Sequence, residues 1–327
     1  IATISVTPTY SNGGESCTGT PQSFTITVNP SGQVNDPSDQ VICNGSPTVA
    51  VNFTTNNTGG TTSYSWTNDN TSIGLGANGT GDIAAFTAVN TGISPEIATI
   101  TVTPTFTNDG ESCTGPSQSF TITVNPSGQV NDPSDQVVCN GNSTTEVIFT
   151  TNNTGGTTTY IWTNDNTSIG LGANGTGDIA AFTAVNTGTS PEVATITVTP
   201  TYSNGGESCT GIPQSFTITV NPSGQVNDPS DQVVCNGTFT DAVNFTTNNT
   251  GGTTTYIWTN DNTSIGLAAS GTGDIAVFTA VNTGTSPEVA TITVTPTFTN
   301  GGESCSGPTQ GFTITVNPTP DVVATPA

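Results

Sequence analysis

The chain predicts an all-β fold class, a tandem array of sandwich-type repeats, and three observations predict it. Cysteine and tryptophan recur at a fixed interval: Cys17, Cys113, Cys209 and Cys305 stand 96 residues apart, as do Cys43, Cys139 and Cys235, and Trp66, Trp162 and Trp258. Between these markers lie short runs in which Val, Ile or Phe alternates with Thr, the period-2 pattern of a half-buried strand. No stretch carries the 3.6-residue period of an amphipathic helix. Self-similarity at a fixed period sets the architecture, and it divides the 327 residues into full repeats at 32–127, 128–223 and 224–319. The last third of another repeat, with its final two strands, precedes them at 1–31, and 320–327 starts the next linker. This layout predicts a window cut from a longer array.

Within the middle repeat, a layout of seven short β segments follows from alternation and from Gly, Pro and Asn punctuation, six of them with bounds. The first reads at 136–139 and the second at 146–151. The third, 158–163, carries Tyr160 and Trp162 on one face. A glycine-rich loop through Gly170, Gly172, Gly175 and Gly177 leads to 179–185, and the runs 193–200 and 215–221 alternate β-branched residues with Thr. Seven strands in about 96 residues, with Trp on the third, point to an immunoglobulin-like sandwich, repeated as beads on a string. A continuous β-solenoid fits poorly, since its repeats are shorter and stack without proline-bearing linkers. The linkers here recur as Asn29 to Asp39, Asn125 to Asp135 and Asn221 to Asp231, each with two prolines.

Composition narrows the chemistry. There is no Lys, Arg, His or Met, and 23 acidic side chains give a net charge of −23. No salt bridge between side chains can form. Nucleic acid and anionic membrane surfaces both require Lys or Arg, so neither is a partner. Catalysis through a histidine base, a lysine Schiff base or a P-loop lysine is impossible. Only 31% of residues are hydrophobic, yet they fall in alternating runs that disordered chains lack. No apolar run is long enough to span a bilayer, and no membrane insertion is expected.

Seven cysteines at fixed spacing without a metal-type pair read as disulfides in an oxidising, extracellular setting. Two pairings fit the arithmetic. One joins Cys43–Cys113, Cys139–Cys209 and Cys235–Cys305 within repeats and leaves Cys17 unpaired; the other joins Cys17–Cys43 and its translates and leaves Cys305. If the first strand starts at the pole of the last hairpin, the within-repeat partners meet, whereas Cys17 and Cys43 lie a strand length apart, roughly 25 Å. The within-repeat pairing is therefore expected, closing loops of about 70 residues worth roughly 4 kcal/mol each in the chain-entropy model.

The run Val138-Cys-Asn-Gly141, then Tyr160-Ile-Trp-Thr-Asn-Asp-Asn-Thr-Ser-Ile-Gly170, Gly175-Thr-Gly-Asp-Ile179, Phe182-Thr-Ala-Val-Asn186, Ala194-Thr-Ile-Thr-Val-Thr-Pro200 and Phe216-Thr-Ile-Thr-Val-Asn-Pro222 resembles the PKD-like repeats of giant Bacteroidota surface proteins. The resemblance covers essentially the whole chain. It implies Ig-like beads of a secreted cell-surface adhesin or filament, exported by the type IX system. Ordinary PKD domains carry Trp-Asp-Phe-Gly-Asp-Gly; here Trp162-Thr-Asn-Asp-Asn stands instead, which places the likeness with the divergent PKD-like branch.

Several motifs invite chemistry and read better as structure. Gly74-Leu-Gly-Ala-Asn-Gly79 has dinucleotide-loop spacing, but no helix follows and the third copy reads Gly266-Leu-Ala-Ala-Ser-Gly271. Asn164 to Gly170 is similar to a calcium loop, yet EF-hand counting places Gly175 where a bidentate Glu belongs. Tyr160 and Trp162 could stack on a sugar, but that face of the strand reads as core, with Trp66, Trp162 and Trp258 as its aromatic centres. Asp165 and Asp178 could pair as glycosidase acids and read instead as loop carboxylates. Sequons such as Asn52-Phe-Thr, Asn70-Thr-Ser and Asn78-Gly-Thr arise readily in a chain this rich in Asn and Thr.

One constellation points to a ligand. Asp132 and Asp135 in a linker with Glu207 in the last hairpin, and equally Asp36, Asp39 and Glu111, or Asp228, Asp231 and Glu303, would set three carboxylates at a repeat boundary. Such a cluster is what an interdomain Ca²⁺ site requires; the same acids would otherwise keep a fibre soluble. The expected role is mechanical and not enzymatic: a stalk or shaft of an extracellular adhesin or filament, each bead adding roughly 40 Å. Its expected partners are other repeats of the same longer chain and neighbouring copies in a filament. The alternatives are a repeat polymer that is itself the filament, or multivalent glycan-binding beads.

Overall fold

The structure, a computed structural model, describes residues 1–320; all but the first residue of the expected tail 320–327 lies outside the described residues. The N-terminal segment forms two antiparallel ribbons, β1 (Ala2–Val6) with β4 (Gln22–Ile26), and β2 (Thr9–Asn12) with β3 (Glu15–Thr18). The first full repeat contributes β5 (Gln40–Cys43), β6 (Thr61–Asn68), β7 (Asn78–Thr80), β8 (Glu96–Asn108), β9 (Glu111–Thr114) and β10 (Gln118–Asn125). The second contributes β11 (Gln136–Cys139), β12 (Thr157–Asn164), β13 (Asn174–Thr176), β14 (Glu192–Asn204), β15 (Glu207–Thr210) and β16 (Gln214–Asn221). The third contributes β17 (Gln232–Cys235), β18 (Thr253–Asn260), β19 (Ser270–Thr272), β20 (Glu288–Asn300), β21 (Glu303–Ser306) and β22 (Gln310–Asn317). Each repeat is thus a six-stranded sheet of one order, β5-β10-β8-β6-β7 in the first, with β9 folded back on β8.

The long strand β8 shows why the sequence folds this way. Its even-numbered Ala98, Ile100, Val102 and Phe106 are buried while the threonines between them face outward. Across the sheet's outer face hydroxyls pair where other proteins place ions: Thr101 with Ser119 at 2.9 Å, Thr103 with Ser117 at 2.8 Å, and Thr107 with Ser112 at 3.0 Å. A chain without cations keeps its sheet surface ordered by neutral hydrogen bonds. The buried face packs Val34, Val51, Phe53, Trp66, Ile73, Ile83, Phe120 and Ile122 into one core, and the equivalent sets recur in the second and third repeats. Phe53 meets Tyr64 with ring centroids 5.4 Å apart.

The second layer differs from the strand reading. The runs expected as strands at 146–151 and 179–185 pair only at the isolated bridge of Val147 with Ile179, and a second bridge, Ser143 with Thr183, falls before the first run. Side chains complete the pairing: Asp178 Oδ1 accepts from Phe149 N at 2.8 Å, and Thr144 Oγ1 accepts from Phe182 N at 3.0 Å. Each sandwich is therefore a sheet closed by a bulged ribbon. The long strand also outruns its expected span of 193–200, continuing past Pro200 to pair with β15.

The linkers are shorter than their sequence suggests. Gly32 N already donates to Cys113 O at 3.0 Å, Gln33 N to Asn57 Oδ1 at 2.7 Å and Asn35 N to Thr54 O at 2.8 Å, and Val34 is buried. A Cβ on Gly115 would lie 1.7 Å from Gly32 O, so only glycine permits this crossing. The same contacts recur from Gly128 to Cys209 and from Gly224 to Cys305, at 3.1 Å each. Between the end of β10 at Asn125 and the docked Gly128 only Pro126 and Ser127 remain. The chain divides into two compact units: Ile1–Gln129 with Asn152–Thr158 and Thr201–Gly211, and Val130–Thr151 with Thr159–Pro200 and the chain from Ile212 onward. The hairpin formed by the end of β14 and β15 thus belongs with the first repeat.

Candidate functional site at the repeat joints

The first strand of each repeat runs parallel to the last, with Gln40 opposite Ile122 and Cys43 opposite Asn125. Cys43 is thereby carried to the far end of β10, whereas Cys113, opposite Phe106 on the β8–β9 hairpin, stands before that strand begins. Seven strand residues, roughly 23 Å, separate the two levels. The expected pairings Cys43–Cys113, Cys139–Cys209 and Cys235–Cys305 are therefore corrected. The bonds formed are Cys43–Cys209, with Cα atoms 5.4 Å apart, and Cys139–Cys305, also at 5.4 Å. Each spans 166 residues and ties the first strand of one repeat to the β-hairpin of the next. Cys17, Cys113 and Cys235 are free.

The disulfide sits in a built joint. Asn125, fully buried, donates through Nδ2 to Asn204 O at 2.9 Å, while Asn204 Nδ2 returns a bond to Asn125 Oδ1 at 3.0 Å. Asn221 and Asn300 repeat this clasp at 2.9 and 3.0 Å. Thr154 N donates to Ile93 O at 2.9 Å, and Thr250 N to Thr189 O at 2.9 Å. Gly205 and Gly301, both in the left-handed region at φ 60°, press on Val41 and Val137: a Cβ there would stand 3.1 Å from the valine methyls. Pro95 and Pro191 pack against Gly155 and Gly251 in the same way. Polar clasp, apolar contact and covalent bond thus share one surface, and the two-residue connection adds no slack.

The carboxylates expected as calcium ligands do not gather. Asp39, Asp135 and Asp231 each turn Oδ1 onto a strand amide of their own repeat, Thr121, Thr217 and Thr313, at 2.6 Å. These bonds hold Asp39 and Asp135 below the ordinary 3.8, and slight desolvation opposes them. Asp135 lines a groove with Val137, Cys139 and Glu303, the acid of the following hairpin, and not with Glu207. Asp132 lines a separate groove with Asp135 and Glu146, and Asp36 sits beside Asp39 along Val49 and Asn52. Glu111, Glu207 and Glu303 head the hairpin strands β9, β15 and β21, and Asp228 is exposed before β17. Among the described residues no three metal-ligating side chains cluster. In the first repeat the expected trio fails because Glu111, on the β8–β9 hairpin, stands at the other end of β10 from Cys43, the cysteine that Asp39 precedes.

The remaining motifs resolve into structure. Trp66, Trp162 and Trp258 lie in the cores, 9%, 8% and 6% exposed. Asn166 caps a 3₁₀ turn at Thr167–Ile169, accepting from Ser168 N at 3.1 Å, and Gly170 closes it in the left-handed region. Asp165 accepts from Thr195 N at 2.7 Å and Asp178 from Phe149 N, so each spends an oxygen on positioning backbone. The joint's asparagines and glycines escaped sequence reading, although Ser-Asn-Gly-Gly-Glu-Ser-Cys recurs in the hairpins at 11–17 and 203–209.

No family model matches the chain, and no curated protein matches it. Among solved structures it is similar to the I9-I11 tandem of titin, 14% identical over 88% of this chain and 99% of that one, TM-score 0.29. Drosophila N-cadherin EC1-4 gives 14% identity, 96% and 83% coverage and TM-score 0.32. Mouse protocadherin-24 EC1-3 gives 16%, 91% and 100% coverage and 0.36. Its own repeated sheets and cores give the fold: tandem immunoglobulin-like β-sandwich repeats.

Proposed function

We propose that the chain is a segment of an extracellular structural stalk, of the PKD-like surface-protein type, whose repeats are covalently locked in series. The observation that carries this reading is the disulfide placement: Cys43–Cys209 and Cys139–Cys305 fasten successive repeats and leave each sandwich without an internal staple. A bond inside a bead resists unfolding of that bead; a bond across a joint resists bending and limits extension. Two disulfides in a chain without reactive histidine or lysine fit an oxidising, extracellular setting. Cell-surface display and type IX export follow from the resemblance to the Bacteroidota repeats.

Stretching single molecules by their ends tests the reading. With both bonds closed, the shortest covalent path between the termini bypasses more than half of the residues. The fully extended length should therefore more than double when reductant is added. An extension unchanged by reductant would sink the locked-stalk reading.

A further inference from the structure

Aspartate is followed by proline at three positions, 36, 132 and 228, once in each linker. The proline nitrogen belongs to a tertiary amide without an N–H, and once protonated it is a better leaving group than an ordinary peptide nitrogen. The other aspartates of the second repeat are engaged: Asp135, Asp165 and Asp178 each accept a backbone amide through Oδ1, at 2.6, 2.7 and 2.8 Å. Asp132 is exposed and accepts none, and no backbone hydrogen bond holds 132–135. Its carboxyl group is thus free to turn onto the adjoining peptide carbonyl. The titratable groups facing it are acids, Asp135 of its own linker and Glu146 across the groove. Asp36 faces Asp39, and Asp228 stands before Asp231, with Asp241 in the place of Thr145. No side-chain cation is present to hold any of them charged.

The joint disulfides span these bonds one for one. Asp132–Pro133 lies inside the ring 43–209 and outside 139–305; Asp228–Pro229 lies inside 139–305 and outside 43–209. We propose that the linker Asp-Pro bonds are acid-scissile sites, at which the chain cuts its own backbone between beads while the joint disulfides keep those beads in series. Parting one bead from the next then requires two separate chemical conditions, acid for the backbone and a reductant for the joint.

One carboxyl oxygen of Asp132 attacks the backbone carbonyl carbon of the same residue. The C–N bond to Pro133 breaks, the proline nitrogen leaves with a proton taken from solvent, and a cyclic anhydride forms. Water opens the anhydride to the two carboxyl groups of a C-terminal aspartate, so one water is consumed and one peptide bond is lost. Acid drives the step because the nitrogen leaves only when protonated. The same acid spares the joints, since disulfide exchange needs a thiolate. It also spares the fold: a chain without Lys, Arg or His sheds negative charge and gains no side-chain cation, so charge repulsion does not open it.

The test holds the full chain at about pH 3, below the ordinary carboxylate range, and reads the products by mass and on denaturing gels with and without reductant. Cuts are expected after Asp36, Asp132 and Asp228 alone. Without reductant the pieces 37–132, 133–228 and 229–327 should migrate as one species, and reductant should part them. Asp36–Pro37 lies outside both rings and serves as the control, its scission releasing 1–36 with no reductant. Pro133→Ala and Asp132→Asn should each slow the cut at that linker by about tenfold or more, with the other two sites unchanged. Ser134→Ala should leave all three rates as they are. A chain left whole while the free peptide Gln-Val-Asn-Asp-Pro-Ser-Asp is cut, a Pro133→Ala chain cut at the wild-type rate, or cuts spread to Asp165 and Asp178 each overturns the proposal. Pieces that separate without reductant would instead overturn the joint disulfides, on which both this proposal and the stalk reading rest; an uncut chain would leave the stalk reading standing.

Discussion

The indole Nε1 of Trp66, Trp162 and Trp258 is buried in each repeat without a hydrogen-bond partner. An unpaired buried N–H costs about 1–3 kcal/mol, so what keeps the tryptophan is its shape. Gly79, Gly175 and Gly271 lie directly under the indole rings: a Cβ on Gly175 would stand 2.3 Å from Trp162 Cζ2. Trp162→Phe should therefore cost little, within about 1.5 kcal/mol, because lost contacts are offset by removal of the orphan N–H. Trp162→Ala should cost about 3–5 kcal/mol by leaving a cavity; chemical denaturation of both variants checks the contrast. The sequence showed the loop glycines as a turn. It did not show Gly175 as the floor of the indole, since that contact crosses from β13 to β12. Acid titration reads another residue. The folded pKa of Asp39 and of Asp135 lies below the unfolded 3.8 through the Thr121 and Thr217 amides. Their contribution is thus complete above about pH 4 and is lost as pH falls through the lowered values. Between pH 5 and pH 3 the melting temperature of an Asp39→Asn, Asp135→Asn double variant should fall less than that of the parent.

Asparagines do at the level of elements what charged residues do elsewhere. Asn186, 3% exposed, donates to Ser190 O at 2.8 Å and to Val220 O at 2.7 Å, and accepts from Gly188 N at 2.9 Å. It ties the bridged ribbon to the last strand of the sheet. Asn186→Ala would strand several buried backbone groups and should destabilise the repeat by about 3 kcal/mol, visible as a lowered unfolding midpoint. The same economy explains what sequence reading caught and missed. The strands β14 and β16 were legible because apolar residues alternate with Thr along them, and β11 and β12 because Val137-Val138-Cys139 and Tyr160-Ile161-Trp162 are short apolar runs between polar punctuation. The runs 146–151 and 179–185 misled because Asp178 and Thr144 supply bonds that a strand ladder otherwise makes, which alternation does not reveal. The hairpin strand β15 is Glu-Ser-Cys-Thr, too polar and too short to announce itself.

For the whole molecule, the cysteine pairing was the costly misreading, and its source is physical. In a periodic chain, pairings at several separations repeat equally well. Only the direction of the first strand decides among them, and here it runs parallel to the last, carrying each cysteine forward to the next repeat. The two closed loops, 43–209 and 139–305, consequently overlap. Overlapping rings give the chain a tolerance that its backbone alone lacks. A single peptide bond cut anywhere between Cys43 and Cys305 leaves at least one disulfide spanning the break. Protein nicked once in that interval by a glutamate-specific protease should run as one full-length species without reductant and as two fragments with it. A surface fibre built from such links would stay in one piece after a single proteolytic injury in that interval, and only three cuts, one in each of 43–139, 139–209 and 209–305, or reduction, could part it.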